Sequence, residues 1–257
     1  MEARRSGPRG LAVVTGGGGG IGDAICRELH ADGWAVAVGY VTRERAEKLA
    51  ADLDTAAVPA VAVPLDMTDR NSIRASMATL IDEFGRVDAI VFNGGAARSA
   101  HFLETTEDDW ARETAVNFTG PALMTQLTLP GMLDAGKGVL IGITSDSAKV
   151  GDIGHAPYAA TKAALNAFLK TIVREYGHHG IRASCVAPGP IDTPMLRYTF
   201  GSDEVAEKAI AKLTRLVPIG RLGRPAEVAA AVRFLCSDGE FVAGEQLSVG
   251  GGVTMNA

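Results

Sequence analysis

Tyr158 and Lys162 stand four positions apart in Tyr158-Ala159-Ala160-Thr161-Lys162. They fall within a helical pattern, so phenol and ammonium project from one face a single turn apart. A free tyrosine titrates near about pH 10 and exchanges protons poorly at neutrality until a neighbouring positive charge stabilises the phenolate. Lys162 would supply that charge, which predicts a phenol able to give a proton to an oxygen or take one back. Far upstream, Thr15-Gly16-Gly17-Gly18-Gly19-Gly20-Ile21-Gly22 ends an apolar run and opens a helical one. Only glycine lets backbone come close to a pyrophosphate, and a helix N-terminus adds N–H groups and a favourable dipole. Each feature alone also has a plain reading: a core-facing Tyr beside a surface Lys, and a flexible glycine loop.

These residues need a frame that brings them together. Short β-branched runs alternate with longer helical patterns, as in successive βαβ units. Strands are predicted over 11–15, 35–40, 60–64, 89–92, 139–143, 183–187 and 246–249, and helices over 21–32, 43–54, 72–84, 107–131, 156–176 and 225–235. Parallel strands with right-handed crossovers place helices on both faces of one sheet. The expected fold is therefore α/β, a single Rossmann-type domain over 1–257 with a doubly wound parallel sheet of about seven strands. Ligands in such sheets bind beyond the carboxyl ends of the strands.

Composition narrows the function classes. The chain has 25 Lys and Arg against 30 Asp and Glu, a formal charge of −5, with no basic block beyond Arg4, Arg5 and Arg9, so nucleic acid is not an expected partner. No run approaches the roughly 18 apolar residues of a membrane span, and no apolar signal core opens the chain. A cytoplasmic protein without membrane contact is expected. Cys26, Cys185 and Cys236 are odd in number and widely separated, and the five histidines lack ligand spacing, so buried thiols and no metal site are expected.

With the glycine spacing and the Tyr158/Lys162 pair both in place, the sequence resembles the short-chain dehydrogenase/reductase family, over nearly its whole length. Gly16, Gly20 and Gly22 match that family's wider TGxxxGxG pattern. Ser145 precedes Tyr158 by thirteen residues, the family's usual offset, and by resemblance would hold the substrate oxygen; Ser147 is a nearby alternative. Asn117 matches the asparagine completing the family's tetrad, whose implied role is to kink a helix and hold a water linking Lys162 to solvent. The resemblance implies a soluble NAD(P)-dependent oxidoreductase with Ser145, Tyr158, Lys162 and Asn117 catalytic. It places Gly16, Gly20, Ile21 and Gly22 at the cofactor pyrophosphate, and Asp66 and Met67 at adenine. Asn93 and Gly95 would stand beside the riboses, Tyr158 and Lys162 at the nicotinamide ribose, and Ile191 and Thr193 at the carboxamide.

Cofactor choice turns on Val38-Gly39-Tyr40-Val41-Thr42-Arg43. An acid there would bind the ribose hydroxyls of NAD. Tyr40 takes its place, and Thr42 with Arg43 could hold a 2′-phosphate, so NADP is favoured over NAD. A lid is expected over 194–222, containing a helix from Asp203 to about Leu216. Substrate specificity in this fold lies in variable loops. Resemblance to the branch with 3-oxoacyl-thioester reductases and hydroxycyclohexanecarboxyl-CoA dehydrogenases implies a β-keto or β-hydroxy thioester, with Arg98, Lys149 and Arg197 open to CoA phosphates. Two alternatives stand beside it: a general ketone or alcohol dehydrogenase on small, steroid or sugar substrates, and a non-catalytic nucleotide-binding interaction protein. Helices 107–131 and 156–176 are more apolar than one buried face requires, and by resemblance a homotetramer is expected.

Overall fold

The computed structural model describes residues 8–194, 196 and 203–255. Seven strands form one sheet: β1 Leu11–Val14, β2 Ala35–Tyr40, β3 Ala60–Pro64, β4 Ala89–Phe92, β5 Gly138–Ile143, β6 Ile181–Pro188 and β7 Gln246–Val249. All neighbours pair in parallel in the order β3-β2-β1-β4-β5-β6-β7. The expected doubly wound architecture is the observed one. Every residue of β1, β2, β4 and β5 is buried, because a sheet covered on both faces selects continuous apolar runs over alternation.

The helices are α1 Gly20–Ala31, α2 Arg43–Leu53, α3 Arg70–Phe84, α4 Glu107–Thr114, α5 Gly120–Asp134, α6 Ser147–Val150, α7 Ala156–Tyr176, α8 Asp203–Leu216 and α9 Pro225–Arg233. They divide the core into two layers. One packs Ile25, Leu29, Val36, Val38 and Val232 between the sheet, α1, α2 and α9. The other packs Ile73, Met77, Ile90, Leu140, Leu165 and Leu169 between the sheet, α3, α5 and α7. Each fully buried aliphatic side chain contributes about 1.5–3 kcal/mol, so the strand ends are held on a rigid support.

The helix expected over 107–131 forms, but it widens in the middle. α4 stops at Thr114, a π-helical turn spans Ala115–Thr119, and α5 runs on to Asp134. The cause lies at Asn117, whose side chain is 1% exposed and is bonded on two sides. One extra residue in the turn lets that amide reach inward without breaking the apolar register of α5. The expected lid falls partly on residue 195 and residues 197–202, which lie outside the described set; α8 occupies the predicted lid helix. Among the described residues no helix is long and apolar enough to cross a membrane.

Candidate active site

The strand order reverses between β1 and β4, and the chain leaves these two strands in opposite directions, opening a crevice at their carboxyl ends. The glycine turn sits there. Gly16 has φ +61°, a left-handed conformation suited to glycine, and Gly17 N–H donates to the Gly39 carbonyl at 2.9 Å. A Cβ on Gly22 would collide with the Gly16 carbonyl and lie 2.8 Å from Asn93 Nδ2, so helix and turn close only around glycine. Asn93 Nδ2 donates to the Thr15 and Gly16 carbonyls at 2.9 and 3.1 Å, and Gly94 N–H donates to Thr15 Oγ1 at 2.8 Å. Asn93 therefore fastens the loop after β4 to the loop after β1.

α1 begins with Gly19 as its N-cap, without a side-chain cap. Opposite it, a Cβ on Gly20 would stand 3.2 Å from Thr193 Cγ2, and one on Gly95 would stand 3.4 Å from Lys162 Nζ. Their missing side chains leave the backbone of α1 bare toward Thr193 and that of the loop after β4 bare toward Lys162, an arrangement that fits a dinucleotide with its pyrophosphate at α1. Ile191 is buried at 5% exposure and bridges to Gly223. Thr193 Oγ1 accepts from Leu196 N–H at 3.2 Å. At the far end, Asp66 accepts from Thr68 N–H and Oγ1 at 2.8 and 2.7 Å. The Met67 side chain is buried in the core. Ile21 is partly buried against the core layer under α1.

The end of β2 carries the groups that would meet a 2′-phosphate. Arg43 Nε donates to Tyr40 Oη at 3.3 Å and lies 3.2 Å from Glu47 Oε1. Its pKa is raised by the Tyr40 bond and then by Glu47. The Thr42 hydroxyl makes no cap bond to α2. Arg45, not singled out from the sequence, has its Cβ 3.5 Å from where a Cβ on Gly18 would be, so a second cationic side chain is rooted beside the glycine turn. Only its helical spacing from Thr42 could have signalled this.

The side chains expected to react come together where β5 and α7 meet. Lys162, 2% exposed, donates from Nζ to the Ile143 carbonyl at 2.7 Å. Its Nζ lies 5.8 Å from the centre of the Tyr158 ring. Burial draws the ammonium pKa down to about 8, against a smaller opposing pull from Cys185. Ser145, the residue two beyond the end of β5, lies close enough to the Tyr158 hydroxyl to pull its pKa down. Ser145 Oγ also accepts from Ser147 N–H at 3.1 Å, while Ser147 Oγ turns to Asp152 at 3.4 Å. The geometry thus separates the two serines. Asn117 Oδ1 accepts from Ala96 N–H at 3.0 Å, and its Nδ2 donates to the Ala96 carbonyl at 2.8 Å and to Thr161 Oγ1 at 3.0 Å.

Two expectations need correction. Burial pushes the Tyr158 phenol above its ordinary range, the Ser145 hydroxyl opposes this, and the Glu113 charge adds to it; no lowering by Lys162 accompanies these. The cations proposed for CoA are committed elsewhere: Arg98 pairs with Asp109 at 2.6 Å and Lys149 donates to Ser248 Oγ at 2.9 Å, while Arg197 lies outside the described residues. The three cysteines are buried free thiols, with Cys185 and Cys236 pushed up to about 12 by burial. A cavity of about 500 Å³ lies elsewhere, between Val217, Ile219, Leu247 and the Gly250–Gly252 turn, and none of Ser145, Tyr158 or Lys162 lines it.

A family model described as Enoyl-(Acyl carrier protein) reductase matches residues 16–254. The chain is 35% identical over 255 residues to a (3R)-3-hydroxyacyl-CoA dehydrogenase of Canis lupus familiaris, covering 95% of this chain and 96% of that one. It is 38% identical over 246 residues to a cis-4-hydroxycyclohexanecarboxylate dehydrogenase of Sinomonas cyclohexanicum, covering 95% and 96%. Among solved structures it is similar to a gluconate 5-dehydrogenase from Burkholderia cenocepacia J2315 in complex with NADP and tartrate, with TM-score 0.88, 29% identity and 97% of each chain covered.

Proposed function

The chain belongs to the short-chain dehydrogenase/reductase family and is an NAD(P)-dependent oxidoreductase; we propose that it interconverts a 3-oxoacyl thioester and its 3-hydroxy form, with CoA as the carrier. The observation that carries the chemistry is the joining of Ser145, Tyr158 and Lys162 at the end of β5, facing the open space beside the glycine turn. Bound nicotinamide supplies hydride to the carbonyl carbon or accepts it from the alcohol. Ser145 holds the substrate oxygen, and Tyr158 Oη gives that oxygen a proton during reduction and takes it back during oxidation. Lys162 holds the nicotinamide ribose hydroxyls. Both amide hydrogens of Asn117 are spent on protein partners, so a water in the relay would be held by a carbonyl oxygen of the widened turn.

Gly16, Gly20, Ile21 and Gly22 would hold the pyrophosphate, Asp66 and the Met67 backbone the adenine, Asn93 and Gly95 the wall beside the riboses, and Ile191 with Thr193 the carboxamide. NADP is the preferred form: Tyr40 replaces an acid, and Thr42, Arg43 and Arg45 border the place of the 2′-phosphate. The thioester substrate draws support from the hydroxyacyl-CoA relative. A second reading, a dehydrogenase of carboxylated alcohols without a thioester, is favoured by the cyclohexanecarboxylate and gluconate relatives. The protein works as one domain over 1–257 with a lid at about 194–222, in the cytoplasm, as a homotetramer joined through α5 and α7, where Ala163, Ala164 and Phe168 are only half-buried in the single chain.

The test is NADPH consumption with acetoacetyl-CoA beside cyclohexanone-4-carboxylate and 5-ketogluconate. Turnover of acetoacetyl-CoA at a kcat/KM at least tenfold above the others is expected. Preference for either free acid overturns the thioester reading, and a monomer by light scattering overturns the assembly.

A further inference from the structure

The loops that follow β5, β6 and β7 meet at Asp146. Its backbone N–H, part of the peptide that joins it to Ser145, donates to the Pro188 carbonyl at 3.3 Å, and its own carbonyl accepts from Lys149 N–H at 2.9 Å. Its side chain reaches β7. Oδ1 accepts from Ser248 Oγ at 3.1 Å, and Ser248 Oγ in turn accepts from Lys149 Nζ at 2.9 Å, so one hydroxyl of β7 is gripped from both ends of the turn that follows Ser145. The backbones behind it are close-packed. A Cβ on Gly250 would collide with Asp146 Oδ2, and one on Gly189 would lie 2.7 Å from Gly250 Cα, while Gly189 N–H donates to the Val249 carbonyl at 3.1 Å. Asp146 is only 5% exposed, and its Oδ2 is buried with no hydrogen-bond partner among the described residues. A buried carboxylate so thinly paired costs stability, a conflict that folded chains keep chiefly at functional sites.

We propose that Asp146 is a positioning residue for Ser145: bonded through Ser248 to β7, it fixes the turn from which the Ser145 hydroxyl projects. The inference rests on the reading of Ser145 as the group that holds the substrate oxygen. The chain of contacts is continuous. The bond from Asp146 N–H to Pro188 fixes the plane of the Ser145–Asp146 peptide, and Ser145 Oγ accepts from Ser147 N–H at 3.1 Å. The bonds among Asp146, Ser248 and Lys149 close a ring between residues 146–149 and β7. Any rotation of the turn would have to break these bonds together. A reacting group whose neighbours are bonded and packed keeps its working geometry, and small displacements are felt in the rate. The strand β7, which carries no reacting side chain, thereby helps to set turnover. Its hold on Asp146 acts on the chemical step and not on cofactor affinity, because the ring spans β5 and β7 whereas the pyrophosphate is proposed at α1.

The experiment uses the full chain and whichever of the three carbonyl substrates named above is reduced fastest, with kcat, KM, the NADPH Kd and the melting temperature read on each variant. Ser248→Ala removes the hydroxyl that Asp146 holds. It is expected to lower kcat about tenfold. Substrate KM and NADPH Kd should stay within about twofold, the pattern of an interaction that counts only in the transition state. Ser248→Thr, which restores the hydroxyl, should return kcat to within about twofold of the native value. An unchanged kcat in Ser248→Ala overturns the proposal, as does a Thr variant no better than Ala. So does a loss matched by equal weakening of NADPH binding, which would mark a general loosening of the fold. If Ser248→Ala does not fold, Asp146→Ala must show the same loss confined to kcat; if neither folds, the pair is a fold determinant and the proposal falls. Ser145→Ala tests the reading beneath. Turnover retained there, or a native chain that reduces none of the three substrates, defeats that reading and the proposal with it, whereas loss at Ser145 without loss at Ser248 defeats the proposal alone.

Discussion

Lys162 Nζ donates to the carbonyl oxygen of Ile143 at 2.7 Å, so the ammonium of α7 is anchored to the last residue of β5. That bond orients the charge, and burial makes it expensive. With a folded pKa of about 8 against 10.5 for the free group, the unfolded chain binds more protons between those values. Stability therefore rises with pH across that window, and the penalty is fully present below pH 8. The shift corresponds to about 3 kcal/mol, offset in part by a hydrogen bond worth about 1–2 kcal/mol. Lys162→Met is expected to melt higher than the native chain at pH 7, by about 1–2 kcal/mol, with the gain gone at pH 10.5. Its activity should be nearly lost. Thermal melts at the two pH values decide this; a variant destabilised at pH 7 contradicts it.

The same group sets a pH limit on turnover. If the charged ammonium is needed at the nicotinamide ribose, kcat/KM for reduction should fall tenfold per pH unit above about 8, following the loss of the proton from Lys162. A profile flat from pH 7 to 10 would show that neutral lysine suffices.

Removing only the phenolic oxygen tests the proton donor. Tyr158→Phe should lower kcat by about 10²–10⁴ and leave the cofactor Kd within about twofold, since the ring remains packed beside His155. Retention of most of the activity is the outcome that disproves the assignment.

The proposed preference for NADP rests on the end of β2. Tyr40→Asp puts an acid beside Thr42 and removes the hydroxyl that holds Arg43 Nε. The ratio of kcat/KM for NADPH over NADH should drop at least tenfold, about 1.4 kcal/mol. Arg43→Ala should lower it in the same direction. A native enzyme preferring NADH tenfold would overturn the NADP reading before any variant is made.

Gly22→Ala asks whether the glycine turn needs its closeness. The added methyl would meet the Gly16 carbonyl and Asn93 Nδ2, an overpacking that costs about 1–3 kcal/mol. A lowered melting temperature and cofactor binding weakened more than tenfold are expected, both measurable on the purified chain; unchanged binding would remove the turn from the cofactor site.

Much of the site is legible along the chain because it depends on local spacing. A four-residue separation on α7 puts Tyr158 and Lys162 on one face, and a glycine run between strand and helix forms a tight turn wherever it occurs. Alternation of β-branched and helical segments is likewise local, so the sheet and the crevice at its carboxyl edge follow from pattern and the handedness of crossovers.

Burial and pairing are not local, and the tertiary structure decided them. The sign of the Tyr158 shift depends on how much protein surrounds the phenol and on Glu113, 45 positions earlier. Ser145 and Ser147 differ in surroundings, the first lying near Tyr158 and the second bonded to Asp152. Arg98 and Lys149 look available in sequence and are taken by Asp109 and Ser248 in space. The π-helical turn at Asn117 arises from partners at Ala96 and Thr161 that no helical period contains. Residue types and spacing determined which groups could react; only the packing of distant segments set their charge states and partners, because electrostatic and hydrogen-bond energies act through space and take no account of sequence separation.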